Sequence, residues 1–387
     1  MSEIGTRMHA VGLVTEYNPF HNGHIYHIEQ AKKITNADVV VAVMSGNFTQ
    51  RGEPTILDKW QRTRAALANG VDLVVELPVF MAVQPSHRFA AGALQLLNDL
   101  QVTDVVFGAE HPSWDFSKLV TAERHFNEKS FEQFNATYAT QFNQQLNELT
   151  GHQLTDPNDI LAFAYYKAII DNQYPIALHP INRLGSQYHD QTVTGTIASA
   201  SAIRRAVELH EAIDRVTPAE TATALAKLKK LPKWEQLYPL LRNFLIQTPV
   251  EELHQIYQMA EGLEYRYREA AECELTFQGF IHRVKTKRYT YSRLLRVCLY
   301  AVMEITNSQI AQAGAHPYLH VLGFTERGQG YLHQVKKKVE YPLLTKIGQD
   351  EHDGLVNLDY RAGKLYQMFT DVEQDVKHAP IIVRKGN

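Results

Sequence analysis

The sequence predicts an α/β fold: a parallel sheet wound by helices in the first half, followed by a mainly helical second half. Three observations predict it. Short valine-rich runs alternate with amphipathic stretches up to residue 205, strand signals mostly vanish after that point, and 387 residues exceed what one hydrophobic core usually serves. We therefore expect two domains, residues 8–205 and 206–387.

Five apolar runs in the first half are the candidate strands. Glycine, proline or aspartate flanks them, and most lack period-two alternation, which is typical of strands covered on both faces. The runs are AVGLVTEY (10–17), DVVVAVMSG (38–46), DLVVELP (72–78), DVVFGAE (104–110) and PIALHPI (175–181). Their alternation with helical patterns predicts right-handed crossovers between parallel strands.

Helical patterns fill the spaces between these runs and most of the second half. HIYHIEQAKKIT (24–35) and KWQRTRAALANG (59–70) follow the first two strands. Residues 112–170 carry aromatic and amide side chains at helical spacing, which indicates a helical insertion. From 206 to about 310 the pattern stays helical, and a short apolar run returns near LHVLGF (319–324).

Composition limits the class of protein. No window approaches about 18 uninterrupted apolar residues, so we expect no membrane span and a cytoplasmic location. The net charge of -3 argues against a protein that coats nucleic acid, although the second half is the more basic, with 24 Lys and Arg against 22 Asp and Glu. Cys273 and Cys298 are too sparse for a disulfide framework or a zinc site, and we expect both to be buried and inert.

The stretch EYNPFHNGHIYH (16–27) is the first candidate site. Proline ends the strand, and a helix beginning near His21 to Gly23 would present free N–H groups and a positive dipole to a phosphate. His21 and His24 would then donate hydrogen bonds to phosphoryl oxygens, with Gly23 allowing close approach of a nucleotide. The same spacing also fits a pair of metal ligands or a polar helix cap, and spacing alone leaves the three open.

A second stretch, TIASASAIRRA (196–206), opens a later helix with small hydroxyl residues. Ser199 and Ser201 can cap a helix or bind an anion, and Arg204 lies one turn further on. The pattern is weak alone. Together with His-Asn-Gly-His after the first strand of a parallel sheet, it favours the phosphate hypothesis.

These residues resemble the HxGH nucleotidyltransferase superfamily, which carries an (H/T)xGH motif after its first strand and an ISSTxxR-like motif on a late helix. HNGH (21–24) and IASASAIR (197–204) are the corresponding segments. A closer resemblance is to the bacterial tRNA(Met) cytidine acetate ligase family, across about residues 8–330. Its blocks occur in order as AVGLVTEYNPFHNGH, AVMSGNFTQRGEP, GVDLVVELP, FGAE, PNDIL, ASASAIR, KRYTYSRLLR and LGFTERGQ.

The resemblance implies a Rossmann-like nucleotidyltransferase domain and a two-step reaction. Acetate and ATP form acetyl adenylate, and the acetyl group passes to N4 of the wobble cytidine of elongator tRNA(Met). ATP would be a substrate, Mg²⁺ would accompany it, and no dedicated metal ligands are identifiable. Two alternatives stay open: a cofactor adenylyltransferase of the same fold, and a non-enzymatic RNA-binding module.

The resemblance also implies roles for individual residues. His21 and His24 would be catalytic, stabilising charge on the α-phosphate. Gly108, Asn158 and Arg183 would contact the nucleotide. Without the resemblance, they could be a turn glycine, a helix cap and a surface partner of Asp190, respectively. The implied ATP-binding residues are Val14, Thr15, Glu16, Tyr17, Asn18, Pro19, Phe20, His21, Asn22, Gly23, His24, His27, Gly108, Asn158, Arg183, Ser199, Ser201 and Arg204.

The stretch FIHRVKTKRYTYSRLLR (280–296) is the candidate tRNA-binding segment. No acidic residue lies between Glu274 and Glu304, and two tyrosines are interleaved with the basic residues, as expected for phosphate contacts combined with base stacking. A solvated helix face is the alternative. The candidates are Arg283, Lys285, Lys287, Arg288, Tyr289, Tyr291, Arg293 and Arg296. Two further residues keep two possible roles each. Arg51 could contact a phosphate or RNA or lie in a surface loop, and Lys59 could contact the reaction centre or cap a helix.

Overall fold

The computed structural model describes residues 7–127, 138–183, 195–376 and 378–384, so Asp190 lies outside the described residues. Its strands are β1 (Ala10–Thr15), β2 (Val39–Ser45), β3 (Leu73–Leu77), β4 (Asp104–Ala109), β5 (Ala177–Asn182), β6 (Leu319–Thr325), β7 (Leu343–Leu344) and β8 (Ile381–Val383). The five strands expected from the apolar runs are confirmed, each within two residues of its expected ends.

Helices lie between the strands and fill most of the second half. They are α1 (Asn22–Thr35), α2 (Lys59–Ala68), α3 (Val79–Ala82), α4 (Ser86–Asp99), α5 (Phe116–Glu123), α6 (Tyr138–Thr150), α7 (Pro157–Asn172), α8 (Ala200–Glu208), α9 (Ala219–Ala226), α10 (Trp234–Gln247), α11 (Val250–Leu253), α12 (Leu263–Cys273), α13 (Phe277–Val284), α14 (Tyr291–Val302), α15 (Asn307–Ala315), α16 (Glu326–Val335), α17 (Gln349–Asp353) and α18 (Asn357–Thr370).

The strands form one mixed sheet in the order β5-β4-β1-β2-β3-β6-β7, with β8 also paired to β6. All pairs among β1 to β5 are parallel, and the β1–β2 register sets Ala10 opposite Val39. Every residue of β2 is buried, which explains its continuous apolar sequence. The predicted α/β fold is confirmed, and β1 lies where the strand order reverses, the place at which such sheets bind ligands.

The end of the chain returns to the sheet after the helices of the second half. β6 pairs antiparallel with β3, with Leu73 opposite Phe324, and β7 and β8 pair parallel with β6. One cluster of buried apolar side chains contains both Val41 of β2 and Leu299 of α14, so the sheet and the α10–α14 helices share a continuous core. The division at residue 205 stays a prediction.

The two cysteines differ in exposure. Cys298 is buried, as expected, whereas the expectation for Cys273 was wrong because its side chain is exposed. Cys273 is the last residue of α12, and the buried face of that helix is formed by Tyr267, Ala270 and Ala271. Within the described residues, no helix is long and apolar enough to cross a bilayer.

Candidate active site

Two histidine rings cap the N-terminus of α1. The Nδ1 atom of His21 accepts the N–H of Gly23 at 3.1 Å, and Nδ1 of His24 accepts the N–H of His21 at 3.1 Å. A neutral imidazole that accepts through Nδ1 carries its hydrogen on Nε2. The ring centroids lie 3.8 Å apart, so the helix start presents two neighbouring Nε2–H donors.

Both capping histidines are neutral near pH 7. Burial, with smaller contributions from Arg183 and Arg204, lowers the pKa of His21 to about 3. Burial and the neighbouring His21 and His27 rings hold the pKa of His24 well below its ordinary value. The pair therefore offers hydrogen-bond donors without positive charge, and the two arginines supply the charge beside it.

Polar contacts on two sides fix the turn between β1 and α1. Asn18 accepts the N–H of Ile56 through Oδ1 at 2.8 Å, and its backbone carbonyl accepts Nη1 of Arg204 at 2.7 Å. The side-chain amide of Asn22 donates to the carbonyls of Thr196 and Arg215, both at 2.9 Å. The helix start is thus held against the segment that carries α8.

Gly23 makes room for the first histidine. A Cβ at this position would lie 2.8 Å from Cε1 of the His21 ring, closer than such atoms approach. The sequence suggested that Gly23 allows a nucleotide to approach the backbone. The structure adds a nearer reason, since the capping position of the imidazole requires a residue without Cβ.

The second serine-rich motif lies against this turn. Ser199 caps α8 by accepting the N–H of Ala202 at 3.1 Å, and its hydroxyl is 3.0 Å from that of Ser201. Arg204 extends from the same helix to Asn18, and its charge acts on His21. The two predicted phosphate motifs therefore converge in space.

Arg183, Gly108 and Asn158 meet around Glu110. A Cβ on Gly108 would lie 2.9 Å from Cγ of Arg183, so the glycine makes space for the arginine stem. Glu110 accepts Nδ2 of Asn158 at 2.5 Å and lies 3.7 Å from Nη1 of Arg183. The helix-cap alternative for Asn158 was wrong, because α7 begins at Pro157 with Asp156 as its N-cap. Glu110, which ends the FGAE block, was assigned no role from the sequence.

His27 lies one turn beyond the capping pair. Its Nε2 donates to the carbonyl of Val106 in β4 at 2.9 Å, and burial lowers its pKa. Arg183 also acts on this ring. His27 therefore joins α1 to β4, and its implied role in ATP binding stays a prediction.

A buried arginine that the sequence did not single out joins the ends of β1 and β2. Arg62 is 0% exposed and donates to the carbonyls of Glu16 at 2.7 Å and Ser45 at 2.9 Å. It also donates to the carbonyls of Leu57, at 3.0 Å, and Gly46. Since Arg62 belongs to α2, this helix fixes the strand ends from which the site is built.

Lys59 lies in a buried ionic network, and the helix-cap alternative weighed from the sequence was wrong. Its Nζ lies 2.8 Å from Glu76 and 2.5 Å from Asp375, and His320 lies 2.7 Å from the same Glu76. Asp58 caps α2 instead. Lys59 is 1% exposed, and it ties the C-terminal segment to β3.

The predicted tRNA-binding segment is less uniformly basic in space than in sequence. Acidic residues of α12 and its flanks neutralise several arginines: Arg283 pairs with Glu269 at 2.9 Å, and Arg288 and Arg293 lie 3.6 and 3.3 Å from Glu261. These contacts come from residues distant in sequence.

Two members of that segment are buried, which corrects the expectation of direct RNA contact. The ring of Tyr289 is 3% exposed and its hydroxyl donates to the carbonyl of Glu261, while Arg296 is 7% exposed. Lys285 is bound to the carbonyl of Tyr289. Lys287, Arg288 and Tyr291 are exposed and stay candidates, together with Arg283 and the half-buried Arg293.

Comparisons with known proteins all indicate the same family. A family model described as HIGH Nucleotidyl Transferase matches residues 8–379. A protein of Limosilactobacillus reuteri named tRNA(Met) cytidine acetate ligase is 62% identical over 97% of this chain and 100% of its own length. One of the same name from Limosilactobacillus fermentum is 63% identical over 97% of this chain and 99% of its own length.

Two solved structures of TmcAL from Thermotoga maritima have the same fold. The apo form has a TM-score of 0.89 at 29% identity, and it covers 98% of this chain and 100% of that one. The form bound with alpha-thio ATP has a TM-score of 0.87 at 30% identity, with the same coverage. The similarity therefore extends over nearly the whole chain.

Proposed function

The chain belongs to the tRNA(Met) cytidine acetate ligase family of HIGH nucleotidyltransferases, and we propose that it activates acetate with ATP and acetylates N4 of the wobble cytidine of elongator tRNA(Met). The family and the ATP-analogue complex of the Thermotoga maritima protein support use of ATP. Acetate, the particular tRNA and a cytoplasmic location are parts of the proposal.

The paired Nε2–H donors at the start of α1 are the observation that carries the first step. An acetate oxygen attacks the α-phosphorus of ATP, and the bond to pyrophosphate breaks as negative charge grows on the phosphoryl oxygens. His21 and His24 would donate to those oxygens from a fixed position, with the charges of Arg204 and Arg183 nearby. Preorganised donors of this kind stabilise a transition state without moving a proton.

The second step follows from the chemistry of cytosine. Its exocyclic nitrogen is a poor nucleophile because the lone pair is delocalised into the ring, so free acetate does not acylate it. In acetyl adenylate the carbonyl carbon bears AMP as a good leaving group. An unpaired anticodon-loop base can reach the crevice with little unstacking cost.

We assign tRNA contact to the exposed part of the basic segment. Lys287 and Arg288 lie on the loop between α13 and α14, and Tyr291 begins α14 with its ring exposed. Cationic side chains would contact phosphates while the tyrosine stacks on a base. In this arrangement the helices of the second half hold the tRNA and the sheet activates acetate.

Magnesium would enter with ATP, partly neutralising the triphosphate. Among the described residues, His111, Asp156 and Asp159 lie close enough together to hold a metal ion. Asp159, however, already accepts the N–H groups of Glu110 and His111 at 3.0 Å and the His111 ring at 2.6 Å. These bonds join the first turn of α7 to the residues that follow β4, and we give the cluster no role in metal binding.

Exchange of labelled pyrophosphate into ATP tests the first step. We expect exchange with the purified protein, Mg²⁺ and acetate, and none when acetate is omitted. A cofactor adenylyltransferase would exchange only with a phosphorylated small molecule, and an RNA-binding module would not exchange at all. Either of those outcomes would contradict the proposal.

A further inference from the structure

Glu16 places a carboxylate directly beside the HxGH turn. It follows the last residue of β1, is half-buried, and accepts the N–H of Gln50 through Oε1 at 2.6 Å. Among the described residues, its second oxygen, Oε2, has no hydrogen bond. One carboxylate oxygen therefore fixes the side chain and the other is available.

The surroundings of Glu16 connect both parts of the proposed reaction. Arg204 acts on Glu16 as it does on His21, so its charge reaches both the carboxylate and the α-phosphate donors. The Gln50 loop leads to the helical half: Gly52 accepts Nε1 of Trp234 at 3.0 Å, and a Cβ on it would lie 2.9 Å from the carbonyl of Leu295. Glu16 thus binds the loop that packs against helices α10 and α14 of the second half.

The charges around Glu16 come from several elements. Arg51 and Arg204 lower its pKa and Glu53 raises it. Tyr165 of α7 and Arg62 of α2 also lie close enough for the Glu16 charge to act on them. Burial outweighs the rest and raises the pKa of Glu16 above its ordinary value. A raised carboxyl pKa brings a proton acceptor closer to the working pH.

A role in binding triphosphate does not account for this side chain, since a carboxylate repels phosphate. The bond to Gln50 does not require a carboxylate either, because a neutral amide oxygen also accepts an N–H. We propose that Glu16 accepts the proton released by the cytidine N4 amine during acetyl transfer, an inference that rests on the proposed function.

The step balances without a further reactant. The N4 nitrogen attacks the acetyl carbonyl carbon of acetyl adenylate, forming the N–C bond. The C–O bond of the mixed anhydride breaks and AMP leaves with the electron pair. One amine proton moves to Oε2 of Glu16, which later returns it to solvent.

Separate assays of the two half-reactions test this assignment. Glu16→Gln keeps the acceptor for Gln50 and removes the base, so acetate-dependent pyrophosphate exchange should lose much less than acetyl transfer does. Single-turnover transfer from preformed acetyl adenylate to tRNA(Met) should fall by about 10²–10⁴-fold, the usual contribution of a general base. Glu16→Asp should recover part of the rate.

The pH profile distinguishes a base from a structural role. Wild-type transfer should fall as the pH drops through the raised pKa of Glu16, and the residual transfer of Glu16→Gln should lack that limb. Glu53→Gln removes a charge from the same loop and is the matched control: it should keep the limb and shift it to lower pH, because the Glu53 charge raises the pKa of Glu16.

Two outcomes would overturn the assignment. Transfer by Glu16→Gln at the wild-type rate and pH profile would leave proton acceptance to the adenylate phosphate. Equal loss of exchange and transfer, with a raised Mg²⁺ requirement, would place Glu16 at the metal-bound triphosphate. Failure of the proposed function itself would differ, because wild-type protein would then catalyse neither half-reaction.

Discussion

Replacing His21 by asparagine separates its two roles, helix cap and phosphate donor. Asparagine is among the best N-cap residues, and its side-chain oxygen can accept the Gly23 N–H that Nδ1 of His21 accepts now. The Nε2–H on the far edge of the ring has no equivalent in asparagine. The variant should therefore fold normally and lose a donor.

The magnitude follows from comparable sites. Removing one preorganised donor to a developing oxyanion costs about 10²–10³-fold in rate, roughly 2.7–4 kcal/mol. Exchange between two good N-cap residues should change the free energy of unfolding by less than about 0.5 kcal/mol. His21→Ala removes both functions and should lose about 1 kcal/mol of stability as well.

Pyrophosphate exchange and urea unfolding, measured on the same preparations, check both values. His125→Asn, which changes an exposed histidine away from the site, is the control. Because the pKa of His21 lies at about 3, its protonation should not shape the exchange rate between pH 6 and 8. A His21→Asn protein that exchanges at a near wild-type rate would refute the donor role. A loss of exchange rate that the fraction of unfolded protein fully explains would refute it as well.

Three further outcomes are expected. Lys59→Met leaves buried carboxylates on Glu76 and Asp375 uncompensated and should destabilise by about 3–5 kcal/mol, lowering the melting temperature by roughly 4–6 °C for a chain of 387 residues that unfolds as one unit. A melting temperature at the wild-type value would contradict the network. Burial and the Glu76 charge raise the pKa of Asp359 to about 8, so the stability of the wild-type protein should decline as the pH rises toward 8. Asp359→Asn lacks this titration, so its melting temperature relative to wild type should increase from pH 5 to 8.5. A difference in melting temperature that stays constant with pH would contradict the raised pKa. Changing both Lys287 and Arg288 to serine should reduce the slope of log K against log salt concentration for tRNA binding by about 1.5 and spare pyrophosphate exchange. Equal loss of tRNA binding and exchange would contradict the assignment of tRNA binding to the second half and acetate activation to the sheet.

Local patterns in the sequence predicted the strands and helix starts of the site. Apolar runs, most of them rich in valine, located β1 to β5, and the two phosphate motifs were placed at helix starts that the structure brings together through Arg204. Both rest on short-range signals: burial on two faces, and a capping residue followed by a helix. The helix-cap alternative for Asn158 failed because Asp156 occupies that position.

Features that depend on distant residues were not predicted. The antiparallel pairing of β6 with β3 joins segments far apart in the chain, and so does the contact of Lys59 with Asp375. Glu261 neutralises a stretch that contains no acid of its own. Arg62 was assigned no role from the sequence, because only the folded chain brings four carbonyls to it.

Mass analysis of the modified nucleoside tests the central claim most directly. Elongator tRNA(Met) is incubated with the protein, ATP, Mg²⁺ and carbon-13 acetate, and then digested to nucleosides. The account predicts one labelled acetyl group on the wobble cytidine, with AMP and pyrophosphate formed in equal amount. Unlabelled cytidine after complete incubation, or label on another nucleoside, would contradict it.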